Sequence, residues 1–169
     1  EPDISYWHGT PQEYWKLYDY AAAGVKAALP DARVGSPATT GPSDAKGRDF
    51  LTGFLTHVTR DKSAATGGAV PLDFISFHAK GSSHIAAGIV QMGLQHELAD
   101  VDSGFALVGK YPTLRPLPII LSEADPEGCG ACSSKTNPAN DYRNGTLYPA
   151  YTAAAYKSLF ALQDRHGSN

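Results

Sequence analysis

Cysteine is nearly absent from this 169-residue chain, which holds two, and methionine appears once. Two cysteines rule out a disulfide-dense scaffold, and a single C-x-x-C pair with no second Cys or His pair does not complete a zinc set. Long apolar runs are missing too. Nothing approaches the ~20 residues that a membrane span needs, and Glu1-Pro2-Asp3 has neither the basic region nor the apolar core of a signal peptide. Basic charge is thin and scattered: fourteen Lys and Arg against seventeen Asp and Glu give a net charge of −3. No basic run suits a phosphate backbone or an anionic bilayer, so neither nucleic acid nor membrane is expected as a partner.

What remains is an ordinary globular composition, 42% hydrophobic and 18% charged. Nine Tyr, two Trp and six Phe form an aromatic set that sugar-binding proteins share with plain cores. The C-x-x-C pair, Cys129 and Cys132, lies in the Gly-rich loop Glu127-Gly128-Cys129-Gly130-Ala131-Cys132. Its spacing fits a redox dithiol, a local disulfide or half of a metal site. Because it does not open a helix after the first strand, a structural disulfide or a pair of thiols is the plainer reading.

Along the chain, Thr10-Pro11-Gln12-Glu13 is a capping box with proline at the first helical position. Tyr14, Leu17, Tyr18, Ala21 and Val25 follow at helical spacing, so a helix is predicted from Pro11 to Leu29. Ala32 to Pro37 is a short predicted strand entering a Gly/Pro/Thr/Ser loop. A second helix, Asp49 to Thr59, carries Phe50, Leu51, Phe54, Leu55 and Val58 on one face. Leu72 to His78 is the next strand, and it ends in His78-Ala79-Lys80-Gly81. Between Ser82 and Tyr111 lies a mixed segment whose helix is obscured by Gly88, Gly93 and Gly104. Pro118 to Glu123, within an apolar run bounded by prolines, reads as a fully buried strand of a parallel sheet, and the stretch ends on Ser122-Glu123-Ala124-Asp125-Pro126. A last helix, Tyr151 to His166, carries Tyr156, Leu159, Phe160 and Leu162, and Arg165 to Asn169 reads as its end before a further strand.

Strands near residues 33, 73 and 118 that alternate with helices imply βαβ units with parallel strands and right-handed crossovers. The expected fold class is α/β with parallel βα repeats. Three strands alone would leave unpaired apolar edges on both sides. The expected architecture is therefore a fragment of a (β/α)8 TIM barrel, from the end of strand 4 to the helix before strand 8. Residues 1–169 would form one incomplete domain; a doubly wound sheet is the alternative.

In parallel α/β folds the carboxyl ends of the strands carry the chemistry. Glu1, at the head of a βα loop, and Glu123, at a strand tip, stand three βα units apart, and in a barrel they face each other across a pocket. Two carboxyl groups about 5–5.5 Å apart suit retaining glycoside hydrolysis, one as nucleophile and one as acid/base. The acid needs a raised pKa, while the nucleophile must stay ionised with help from neighbouring donors.

Glu1-Pro2-Asp3 resembles the end of the Asn-Glu-Pro signature at the fourth strand of the large retaining glycosidase clan, and Glu123 matches that clan's seventh-strand nucleophile. His78-Ala79-Lys80-Gly81 and Ser122-Glu123-Ala124-Asp125-Pro126 resemble, more closely, glycoside hydrolase family thirty-nine, the β-xylosidase and α-L-iduronidase family. The likeness continues in order through Glu127-Gly128-Cys129 and Tyr142-Arg143-Asn144-Gly145-Thr146, which are similar to a bacterial β-xylosidase-like branch. The Asn expected before Glu1, the first four strands and the eighth are not in this sequence. By resemblance Glu1 is the general acid/base and Glu123 the nucleophile, while His78, Lys80 and Asp125 sit at or behind the sugar. The resemblance implies a carbohydrate substrate and calls for no cofactor and no metal. Trp7 and Tyr142 are candidates for stacking on a sugar, with packing as the plainer reading. Asn144-Gly145-Thr146 also fits a glycosylation sequon.

The expected activity is cleavage of terminal β-xylosyl or related bonds by two-glutamate double displacement, with an iduronide or an arabinoside as the alternative substrate. Holding half a pocket, the 169 residues alone are expected to lack turnover. A non-catalytic carbohydrate-binding remnant, or a dithiol protein using Cys129 and Cys132, are the competing classes. Oligomeric state and compartment are not written in the sequence.

Overall fold

A computed structural model describes residues 1–129 and 132–168. Gly130 and Ala131 of the Cys-bearing loop lie outside the described residues, as does Asn169, where a further strand is expected to begin.

The first helix, α1 (Pro11–Ala28), forms where the capping box predicts it. The Thr10 hydroxyl accepts the Glu13 N–H at 3.2 Å, and the Glu13 carboxylate accepts the Thr10 N–H at 2.7 Å, satisfying donors that a helix start leaves free. The second, α2 (Ala45–Arg60), starts ahead of the predicted Asp49. Its first turn, Ala45-Lys46-Gly47-Arg48, shows no apolar period and buries only Gly47. Trp15 and Tyr18 of α1 meet Phe50 and Phe54 of α2 at ring separations of 4.8–5.6 Å. With Leu51, Phe54 and Leu55 fully buried, each worth about 1.5–3 kcal/mol, this seam anchors one side of the core.

Three parallel strands, β1 (Gly35–Thr39), β2 (Phe74–Lys80) and β5 (Ile119–Asp125), form a sheet in the order β1-β2-β5. The α/β class with a parallel sheet is thus present. β1 begins at Gly35 and runs past Pro37, not from Ala32 to Pro37. Among the described residues β1 pairs with β2 alone, and Pro37, which has no N–H, sits beside the irregularity in that pairing. A register shift follows Pro37, where Ala38 adopts φ 52°.

Central β2 buries Ile75, Phe77 and Ala79 completely. Above them lies α3 (Leu94–Val108), and Gly104 permits the contact: a Cβ there would come within 2.2 Å of the Phe77 ring. The glycine that obscures this helix in the sequence is what lets it pack. The expectation of a fully buried β5 is overturned. Among the described residues β5 pairs with β2 alone, and Ile120 is 43% exposed.

Between β2 and α3 the chain also forms an antiparallel hairpin, β3 (His84–Ala86) and β4 (Ile89–Gln91), that the sequence reading did not find. Its turn places Ala87 and Gly88 at φ 49° and 75°, the left-handed pair of a tight hairpin, and Ala-Gly is a weak signal for it. The last helix, α4 (Leu147–His166), follows a 3₁₀ turn over Pro138–Asn144 and begins before the predicted Tyr151.

Candidate active site

Adjacent parallel strands set the polar tips side by side. Through Phe77↔Leu121 the pairing of β2 with β5 is regular; beyond it His78 pairs with Glu123, and Lys80 with Asp125. Ser122 is therefore an extra residue on β5, a bulge. Since a one-residue slip turns every following side chain to the opposite face, the bulge decides that Glu123 lies beside His78. All four polar residues then share one face.

On that face Lys80 Nζ lies 2.7 Å from Glu123 Oε2 and 2.9 Å from Asp125 Oδ2. The Lys80 ammonium holds Glu123 below the usual carboxylate range, against some burial and with help from the charge of His78. Burial alone would lower the Lys80 pKa, but its hydrogen bonds to Glu123 and Asp125 outweigh that and raise it.

Glu1 arrives from a separate segment. Asp3, two residues on, accepts the Thr40 N–H at 3.0 Å and the Thr40 hydroxyl, which ties the first turn to the loop after β1. Glu1 Oε1 then lies 3.1 Å from His78 Nδ1, and that same nitrogen is 3.7 Å from Glu123 Oε2. His78 is 5% exposed, whereas the Glu123 side chain is 52% exposed. All five residues singled out from the sequence, Glu1, His78, Lys80, Glu123 and Asp125, are thus brought into one cluster. Tyr142 borders it, lining a pocket with Asp125, Pro126 and Tyr148, while Trp7 has its packing partners elsewhere. Trp7 packs edge-on against Tyr14 at 5.7 Å, and Tyr142 is buried.

Glu1, His78 and Glu123 each present a donor atom, all within 4.8 Å of one another, close enough to converge on a cation. Lys80, however, already places a positive charge on the Glu123 oxygen. Any ion there would compete with Lys80 for that oxygen.

Several residues that hold the cluster escaped the sequence reading. Asp100 of α3, 1% exposed, accepts the backbone N–H of Ser43 at 3.1 Å and of Lys80 at 3.4 Å, and takes the Ser43 hydroxyl as well. A Cβ at Gly41 would collide with that carboxylate. His96 Nδ1 meets the Lys80 carbonyl at 2.8 Å. Glu97 is buried beneath the Tyr151 hydroxyl, which donates to it; burial raises the Glu97 pKa despite that bond. Glu97, Asp125, Tyr148, Tyr151 and Tyr156 line a cavity of about 220 Å³ between β5 and α4. The i, i+3 spacing of Glu97 and Asp100 on one helix was a usable signal.

Beyond Pro126, Cys129 and Cys132 form a disulfide, which resolves the open readings of that pair to a local bridge. Arg143 donates to the carbonyls of both cysteines, at 2.9 and 2.6 Å, and pairs with Glu127. The loop after the β5 tip is thus fastened to the 3₁₀ turn.

The profile of Glycosyl hydrolases family 39 matches residues 1–164. Two β-xylosidases are similar over part of the chain: that of Caldicellulosiruptor saccharolyticus is 36% identical over 80 residues, and that of Geobacillus stearothermophilus 38% over 81. These matches cover 46% and 47% of this chain but 14% of each enzyme. Among solved structures, one described as the bacterial orthologue of human α-L-iduronidase aligns with 98% of this chain at TM-score 0.70 and 25% identity, over 25% of its own length.

Proposed function

The chain belongs to Glycosyl hydrolases family 39, and from that premise we propose that it carries the reacting groups of a retaining O-glycosidase. Glu123 is the nucleophile and Glu1 the general acid/base. The observation that carries this reading is the spacing: a Glu1 oxygen and a Glu123 oxygen lie within 4.8 Å. Retaining pairs stand about 5–5.5 Å apart, whereas inverting pairs stand about 6.5–9.5 Å apart to admit a water. The three parallel βα units are read as one segment of a (β/α)8 domain, from the end of strand 4 to the helix before strand 8.

In the first step the ionised Glu123 attacks the anomeric carbon, the glycosidic C–O bond breaks, and the Glu1 proton passes to the leaving oxygen. In the second, Glu1 takes a proton from water, the water oxygen bonds to the anomeric carbon, and Glu123 departs as carboxylate. Lys80 favours the ionised nucleophile that the first step needs. His78, against Glu1, orients the acid.

The substrate read from the two similar β-xylosidases is a terminal β-xyloside. An α-L-iduronide is the second reading, favoured by the structural likeness and by Lys80, whose cation suits a uronate. A panel of aryl glycosides separates them, and sugar binding without hydrolysis of any would sink both. The mechanism is tested with Glu123→Gly in the full-length protein. Added azide should restore turnover and yield a glycosyl azide of inverted anomeric configuration. No rescue would remove Glu123 from the nucleophile's role.

A further inference from the structure

Lys80 is unusual among the site residues because both of its short contacts are to protein carboxylates of the same strand. Its Nζ sits 2.7 Å from Glu123 and 2.9 Å from Asp125. The side chain is 16% exposed, against 52% for Glu123 and 37% for Asp125, so the cation is the most enclosed member of the trio. Its own backbone is fixed at two points, the N–H on Asp100 and the carbonyl on His96. The Asp125 backbone is held as well, since its carbonyl accepts the Gly81 N–H at 2.8 Å. Two strand tips locked in register hold an ammonium with little freedom to leave.

We infer that Lys80 and Asp125 form a positioning pair for Glu123: Asp125 holds the ammonium in place, and the ammonium orients the nucleophile and keeps it charged. This rests on reading Glu123 as the nucleophile. Asp125 therefore acts on Glu123 only through Lys80. A long Lys side chain retains considerable rotamer freedom unless both ends are fastened, and Asp125 supplies the second fastening. Of the three ammonium protons, two point to Glu123 and Asp125 and one is left for a sugar hydroxyl. A small shift in such a tether is enough to cost reaction geometry.

The surrounding charges do not duplicate Lys80. Glu1 and His78 face Glu123 from the first turn and from β2. Glu97 and Asp100 of α3, Tyr142 of the 3₁₀ turn and Tyr151 of α4 add acids near Asp125 and Lys80, and the bases on those elements, His96 and Arg143, pair with Asp100 and Glu127. Apart from the imidazole, Lys80 is the cation that meets Glu123 among the described ion pairs.

The test is a double-mutant cycle on kcat/KM in the full-length protein, read across pH. Lys80→Met should lower kcat/KM by about 10²-fold and move the acidic limb upward, because Glu123 loses the group that depresses its pKa. Lys80→Arg should restore part of the rate and return the limb toward the wild-type position. Asp125→Ala should cost about 10-fold alone and nothing further in the Lys80→Met background, since residues acting through one another are not additive. Thermal melting monitors folding, and Asp125→Asn carries the same cycle if the alanine variant does not fold. Additive losses together with an unmoved acidic limb would overturn the inference while leaving Glu123 in place. Failure of azide to rescue Glu123→Gly would instead remove the nucleophile and the inference with it.

Discussion

Two histidines are each bracketed by two carboxylates, His57 between helices and His78 at the strand tips, and they differ in what else reaches them. His57 of α2 is 7% exposed, with Nε2 3.0 Å from Asp19 and Nδ1 3.1 Å from Asp61. Its ring stacks on Trp15 at 6.1 Å. Asp19 is 1% exposed, and its second oxygen accepts the Ala64 N–H at 2.7 Å. Its two oxygens are committed, so the cluster can only hold α1, α2 and the following loop together. His78 is equally enclosed, but Glu123 beside it is half exposed and shares its charge with a lysine. Openness of one acid does not separate the two, since Asp61 is 61% exposed; what differs is that Glu1, Lys80 and Asp125 converge with Glu123 and His78 on one face of the strand tips.

The largest contrast comes from removing one acid at the strand-tip cluster and the imidazole at the helix-packing one. Glu123→Ala is expected to reduce turnover by on the order of 10⁴-fold or more with little change in melting temperature; retained hydrolysis would erase the distinction. Glu1→Gln should cost about 10²–10⁴-fold, most for substrates with poor leaving groups, as a series of aryl glycosides would reveal. His57→Ala should do the reverse. It strands the buried Asp19 and should lower stability by about 3 kcal/mol in denaturant unfolding, with KM unchanged.

The smallest effect concerns Glu97. Burial raises its folded-state pKa above the unfolded value. The resulting stability is fully present below the ordinary carboxylate range and is lost as pH rises through the raised value. Glu97→Gln does not titrate, so its melting temperature should match the wild type at acid pH and exceed it increasingly as pH climbs. A gap that does not change with pH would show that Glu97 is not held in this way.

Local signals were legible where one element supplies both the pattern and the partner. The capping box at Thr10 and Glu13 wrote the start of α1, and the apolar period from Phe50 to Val58 wrote the body of α2. The hairpin was missed because its turn is Ala87-Gly88 and its strands are short and exposed. The burial of β5 was overstated because an apolar run records composition, not how many neighbours a strand has. In the candidate site, the polar residue types at the two strand tips were visible in the sequence. Of the residues beneath them, Asp3 gave no signal, because an acid in a turn looks the same whether it faces water or a backbone N–H, and Glu97 and Asp100 gave only their i, i+3 spacing, which does not say what that helix face meets.

By itself, then, the sequence determined the alternation of helices and parallel strands, the family resemblance carried by the strand-end motifs, and the polar residue types at the strand tips. These follow from local periodicity and side-chain type, which need no tertiary partner. Only the tertiary structure decided that the bulge at Ser122 turns Glu123 toward His78, that Asp3 brings Glu1 to the same place, and that Lys80 is shared between two carboxylates. Each depends on register and distance between segments far apart in the chain, and a one-residue slip in pairing would have reversed the face on which Glu123 lies.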